Sequence, residues 1–266
     1  MDNPTPHQKV NDLLHELLKN AQAILDRQFV GMYLFGSLTS GDFDRDSDVD
    51  VVIVTQDEIS DKLFAALKAM HLQIAAIDSW CASQLKVSYI PLDAIRRYES
   101  AHAQHPHIDR GKGDEVLFMM QHDESWIVQR YVLRERGITM AGPAPETIID
   151  FVSPDDLRQA MVAILEGWAS KILDDPAQMQ YRGYQSYIVL SLCRILYTLE
   201  YGTVVSKPAA ARWAQEALDD GWMPLIERTW TGRHNPGLKA SPDDVNGTLK
   251  FIRYALEQAR QWQPSQ

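Results

Sequence analysis

The chain has 266 residues, of which 45% are apolar and 23% charged, a balance that suits a soluble globular protein of one large or two ordinary domains. A formal charge of −10 argues against non-specific binding to nucleic acid or to an anionic membrane, and it suits a cationic small substrate. Cys81 and Cys193 lie far apart without metal-ligand spacing, no apolar run approaches the ~20 residues of a membrane span, and MDNPTPHQKV lacks the pattern of an export signal, so a cytoplasmic protein is expected.

Val10, Leu13, Leu14, Leu17, Leu18, Ala21 and Ile24 recur at helical spacing and predict an amphipathic helix over 8–27. A strand follows at 29–35 (FVGMYLF), then a Gly36-Ser37 turn, then a second strand at 49–55 (VDVVIVT). Leu63, Phe64, Leu67, Met70 and Ile74 predict a helix over 60–76, and LKVSYIPL reads as a third strand at 85–92. The polar segment 93–114, rich in His and Asp, reads as an active-site loop or lid. Residues 115–137 are helical in part, and the proline-containing 142–154 reads as a linker. The expected division is a mixed domain at 1–150 followed by a second domain at 151–266.

In the second domain Ser153 and Pro154 form a helix start, and helices are expected at about 154–174, 184–201, 207–219 and 243–262, with Gly202 ending the second of them. No strand is expected there. The fold class is therefore α+β, a short mixed sheet with helices, joined to an all-α helical bundle.

The chemistry concentrates between the first two strands. Side chains alternate faces along a strand, so Asp48 and Asp50 project to one side, roughly 6–7 Å apart along the backbone. Two carboxylates held that close repel one another unless a cation lies between them, and Mg²⁺ commonly pairs one or two carboxylates with substrate phosphates. The Gly36-Ser37 turn supplies backbone N–H groups and a hydroxyl suited to cradling those phosphates.

Gly-Ser, a spacer, and Asp-x-Asp opening an apolar strand resemble the nucleotidyltransferase superfamily, whose core is shared with polymerase β. The run Val189–Tyr197, then Gly202, then Val205–Ala214 with Lys207 resembles the C-terminal helical domain of the streptomycin/spectinomycin (aminoglycoside) adenylyltransferases. That resemblance extends over about 30–262 and implies a polymerase-β-like nucleotidyltransferase domain followed by the helical bundle. It implies an antibiotic-resistance type of activity, AMP transfer from Mg²⁺–ATP to a hydroxyl of a small acceptor such as an aminoglycoside, by a monomer. By the same resemblance Gly36, Ser37 and Ser47 meet the nucleotide phosphates, and Asp48 and Asp50 are the Mg²⁺ ligands. Arg194 and Lys207 contact the triphosphate, Tyr254 lies near the nucleotide, and Trp168 and Tyr184 occupy acceptor-binding positions.

One departure is as informative as the matches. The resemblance implies a glutamate acting as general base on the strand after Asp-x-Asp, and that position holds Lys86. A lysine is no base near neutral pH unless its pKa falls by several units, and beside Asp48 and Asp50 it is expected to stay charged as a tethered counter-ion. A catalytically impaired nucleotide-binding homologue is thus one alternative, and transfer to a protein or another metabolite is a second. Ser88 shares the strand face of Lys86 but is a poor base; the other candidates are Asp93, Glu99, Asp109 and Asp114, which are expected to reach the centre only through loop geometry, and His102, His105 and His107, expected in a solvated loop. The patch of Tyr181, Arg182, Tyr184, Gln185 and Tyr187 is aromatic and less acidic than a polycation site requires.

Overall fold

The computed structural model describes residues 3–77, 79–99, 104–109 and 117–262, which divide into two compact units, Met1–Phe151 and Val152–Gln266.

In the first unit, α1 (Gln8–Leu25) precedes β1 (Phe29–Leu34), a one-turn helix α2 (Ser37–Ser40) and β2 (Val49–Thr55). α3 (Asp61–Ala75), β3 (Leu85–Pro91), α4 (Leu92–Arg96), β4 (Gln104–Asp109) and β5 (Phe118–Gln121) follow. The unit closes with α5 (Ser125–Arg136), β6 (Ile138–Ala141) and α6 (Pro145–Ile148). The strands form one mixed sheet in the order β5-β4-β3-β2-β1-β6, with β2 and β3 parallel and the other pairs antiparallel. α3 is the crossover that a parallel pair needs.

Helices cover both faces of the central strands, which explains the nearly continuous apolar run of β2. On one face α1 and α3 bury Leu14, Leu17, Leu67 and Met70 against Met32, Val51, Ile53, Val87 and Tyr89. On the other, Tyr33, Val52, Val54 and Ile90 pack with Ile95 of α4, Trp126 and Leu133 of α5, and Ile148 beside Ile149.

The segment expected as a loop or lid instead contains α4 and β4, and β4 hydrogen-bonds between β3 and β5 inside the sheet. His105 and His107 are accordingly buried and not solvated, while His102 and Asp114 lie outside the described residues. The 142–154 segment is also structured: Tyr33 Oη donates to the Pro143 carbonyl at 2.9 Å, and Ile148 and Ile149 enter the core.

The second unit contains α7 (Pro154–Asp174), α8 (Arg182–Tyr201), α9 (Lys207–Ala217), α10 (Met223–Gly232) and α11 (Pro242–Gln261). Ser153, Ser206 and Ser241 cap three of these helices, each followed by proline in the first turn, and Ser153 forms a reciprocal capping box with Asp156. α8 is the central helix, burying Ile188, Val189, Leu192, Cys193, Ile195 and Leu196, and it packs on α7, α9, α10 and α11. Gly202 ends it in the left-handed conformation (φ 64°), and Arg158 Nε donates to the Leu199 carbonyl at 2.9 Å, satisfying an otherwise orphan acceptor. The short α10 was not expected from the sequence. No helix among the described residues is long and apolar enough to cross a membrane.

His105 stands edge-on to Trp126 (5.0 Å between centroids) and to His122 (5.3 Å), which itself stacks on Trp126 and Tyr98. Burial, with lesser contributions from His122 and His107, pushes its pKa down to about 3. The native ring therefore stays neutral while the unfolded chain takes up a proton below about pH 6.5, so stability is lost as pH falls from about 6.5 toward 3. This one group is expected to cost about 2 kcal/mol between pH 7 and pH 5. Urea denaturation at both pH values, for the native chain and His105→Leu, checks it: the variant's pH-dependent loss should be smaller by about that amount.

Candidate active site

At the end of β1 the chain turns through Gly36 (φ 70°, ψ −140°) into α2, whose first residue is Ser37. A Cβ at Gly36 would collide with Asp50 Oδ2, and Phe35 N–H donates to the Asp50 carbonyl at 3.2 Å. Glycine is thus required twice, for the positive φ and for the close approach of a carboxylate. Gly36, Ser37 and Asp50 are brought together by the β1–β2 pairing.

The acidic loop before β2 is closed by Asp44 and Ser47. Ser47 Oγ donates to Asp44 Oδ1 at 2.8 Å, and Asp44 N–H donates to Ser47 Oγ at 3.1 Å. Ser47 therefore holds the loop that delivers Asp48, and its hydroxyl is already engaged there.

Register builds the rest. Asp50 pairs with Lys86 across β2 and β3, and Lys86 pairs with Asp109 across β3 and β4. The three residues stand side by side on the sheet face that carries Trp126. Lys86 Nζ lies 2.9 Å from Asp48 Oδ2 and 3.7 Å from Asp109 Oδ1. Burial favours loss of the Lys86 proton, but Asp48, then Asp109 and Asp50, outweigh it and raise its pKa above the usual lysine value. Lys86 is an ammonium, not a base.

Asp109 is the residue that sequence reasoning placed wrongly. It was expected to reach the centre only through a loop, yet it is a strand residue with its side chain only 8% exposed. One signal lay in QHPHID, where His105, His107 and Asp109 recur at every second position. Next to it on the same face, Ser88 Oγ and His107 Nδ1 are 2.8 Å apart, so Ser88 is committed to a histidine. Asp93 and Glu99 are exposed at and after α4.

Divalent-ion binding can be judged on these groups. Asp48 and Asp50 are half-buried, on one side of the sheet end, and Asp50 lies against the Gly36 turn. Among the described residues no three His, Cys, Asp or Glu side chains converge to hold a metal. The residues fit an ion that arrives with phosphate oxygens and takes two carboxylates from the protein.

In the helical unit, Tyr184, Tyr187 and Arg194 share one face of α8 by helical spacing. Tyr184 stacks on Tyr187 (6.2 Å), and Lys207 Nζ, from the first turn of α9, sits over the Tyr187 ring at 5.2 Å. A shallow hollow of about 350 Å³ lies beside Tyr184, lined by Ala177, Gln178, Gln180 and Tyr181. Tyr254 belongs to another cluster, 5.4 Å from Trp222 and stacked on Phe251. Trp168 is half-buried on α7, outside that helix's buried set.

A strand-turn unit presenting Gly36, Ser37, Asp48 and Asp50 at the end of a mixed sheet defines a nucleotidyltransferase core. Comparison with known proteins agrees. The nucleotidyltransferase domain family matches residues 17–105, and the C-terminal domain family of aminoglycoside adenylyltransferases matches residues 147–258. The chain is 22% identical over 257 residues to the spectinomycin 9-adenylyltransferase of Campylobacter jejuni, covering 92% of this chain and 95% of that one. It is 22% identical over 254 residues to the aminoglycoside (3'') (9) adenylyltransferase of Escherichia coli, covering 92% and 94%. Among solved structures it is similar to the spectinomycin adenyltransferase AAD(9) of Enterococcus faecialis, crystallised with ATP and spectinomycin, at a TM-score of 0.70 and 15% identity over 94% of this chain and 99% of that chain. The first part of the chain thus matches the nucleotidyltransferase domain family and the second the C-terminal domain family of aminoglycoside adenylyltransferases, and the whole is adenylyltransferase-like.

Gly36→Ala is expected to destabilise the protein by about 1–3 kcal/mol, because a strained φ is added to displacement of Asp50. Gly41→Ala is the control: it has a similar φ of 76°, but its added Cβ would meet open space, so it should lose only the backbone part. Urea denaturation of both variants measures the difference.

Proposed function

We propose that the protein is a Mg²⁺-dependent nucleotidyltransferase that moves AMP from ATP to a hydroxyl of a small acceptor, with spectinomycin-type aminoglycosides as the acceptor class to test first. The observation that carries this reading is the Asp50 carboxylate seated on the Gly36 turn, with Asp48 beside it, in a chain similar along nearly its whole length to adenylyltransferases. In this reading Asp48 and Asp50 hold the divalent ion, which, when bound, neutralises charge on the phosphates. Ser37 and the N–H groups after Gly36 bind phosphate oxygens, and Ser47 fixes the loop carrying Asp48. Arg194 and Lys207 are assigned to charge on the triphosphate, where the guanidinium supplies a fork and the ammonium a point charge. Tyr254 is assigned to the nucleotide, and Trp168 and Tyr184 to the acceptor.

A second reading is favoured by a specific observation: Lys86 is held protonated where a base would stand. The protein would then bind nucleotide and turn it over slowly. The aromatic Tyr184–Tyr187 patch, with Lys207 over it, offers stacking surfaces, which favours acceptors recognised through rings.

Lys86→Glu separates the two readings. Restoring a carboxylate base is expected to raise AMP transfer by about 10²–10⁴-fold. The measurement is transfer of label from ATP to spectinomycin or streptomycin, with protein extract as a parallel acceptor. Label appearing only in extract protein redirects the acceptor, and a folded, ATP-binding variant with no gain toward any acceptor rejects the transferase reading.

A further inference from the structure

We propose that Asp109 is a positioning residue for the divalent-ion site, acting through Lys86. This rests on the assignment of Asp48 and Asp50 to the ion made above. The Lys86 ammonium has two carboxylates within reach, Asp48 at 2.9 Å and Asp109 at 3.7 Å. While it stays on Asp48 it occupies a lone-pair direction that an incoming cation needs, and its positive charge repels that cation. Asp109 provides the other berth. It is fixed by strand register directly opposite Lys86 on β4, and its side chain is only 8% exposed, so it has little water of its own to lose when the ammonium moves to it. Lys86 sits on a flexible four-carbon stem, and a shift of its tip by about an ångström along the line between the two carboxylates exchanges one partner for the other.

The arrangement therefore has a built-in exchange. As the divalent ion and its phosphates take Asp48 and Asp50, the ammonium passes to Asp109, where it stays paired and stays close enough to offset phosphate charge. Asp109 does not touch the ion in this scheme. It keeps a fixed cation from blocking a mobile one, by giving Lys86 a more buried carboxylate than the half-exposed Asp48.

The test is a double-mutant cycle read as Mn²⁺ affinity by electron paramagnetic resonance, with α,β-methylene-ATP present so that no turnover is needed. Asp109→Asn is expected to weaken Mn²⁺ binding about tenfold or more, because Lys86 is left on Asp48. In the Lys86→Met background, where no ammonium needs a berth, the same Asp109→Asn change is expected to weaken it by less than about threefold. Asp109→Glu, which keeps a carboxylate for the ammonium, should remain within about threefold of the native chain, and it serves as a second variant if the asparagine perturbs folding; thermal melting reports that directly. An Asp109→Asn loss as large in the Lys86→Met background as in the native one overturns the proposal, since Asp109 would then act on the ion by its own charge. No Mn²⁺ binding by any variant, Lys86→Glu included, overturns this proposal together with the ion assignment beneath it.

Discussion

Three adjacent strands bring Asp50, Lys86 and Asp109 into one row, and Asp48 joins them from the loop that opens β2. Neighbouring strands lie about 4.8 Å apart, so a residue on β3 stands one spacing from the carboxylate on either side, and a positive charge there offsets the repulsion of the gathered acids. Lys86 supplies it. Its amine is drawn toward neutrality by burial and away from it by its acidic neighbours, and the neighbours prevail. That one ammonium pairs with both Asp48 and Asp109 and contributes to the charge balance of the sheet end. A lysine here is not a neutral replacement for a carboxylate, because it changes which partner each acid has.

The same row explains why so little of the centre can move. Asp50 is wedged against a glycine whose φ no other residue adopts comfortably, and Ser47 and Asp44 tie the loop that carries Asp48. Both ion-binding candidates are set by backbone, through a strand on one side and a closed turn on the other. Preorganisation of this kind lowers the cost of bringing a triphosphate and its counter-ion to a fixed place. The helical unit is arranged differently. Tyr184 and Tyr187 lie along one face of α8, and Lys207, at the start of α9, sits over the Tyr187 ring.

Much of this was legible in the sequence, and the physical reason is periodicity. The apolar spacing of α1 and α3, the apolar runs of β1, β2 and β3, and the Ser-Pro opening of α7 are local signals that tertiary packing only had to accept. The resemblance carried by Gly36-Ser37, Asp48-x-Asp50 and the α8–α9 run likewise depends on short stretches. β4 escaped because its local signals conflict with its position. Pro106 in the middle of QHPHID lacks the N–H that a ladder uses, which argues against an internal strand, and three polar residues at alternate positions imitate a solvated loop. What overrides those signals is the neighbour: Ser88 and Lys86 on β3 pair with His107 and Asp109, so the polar side chains satisfy one another across the strands.

Register is therefore the part of the site that single-sequence reasoning cannot supply. A strand pattern says which residues share a face, but the partner opposite each one depends on a second strand whose alignment is set by packing elsewhere. Lys86 could be placed on the correct face from LKVSYI alone, and its conflict with the expected glutamate was visible at once. Its consequence was not, because that depends on Asp109, 23 positions away along the chain and directly across the ladder from it. Taken by itself, a lysine at the position of a base reads as a loss of function. Set between Asp48 and Asp109 it reads as one member of a charge row in which a carboxylate is still present, displaced by one strand, and the chemistry of the centre turns on which of its two acids the ammonium holds when the nucleotide arrives.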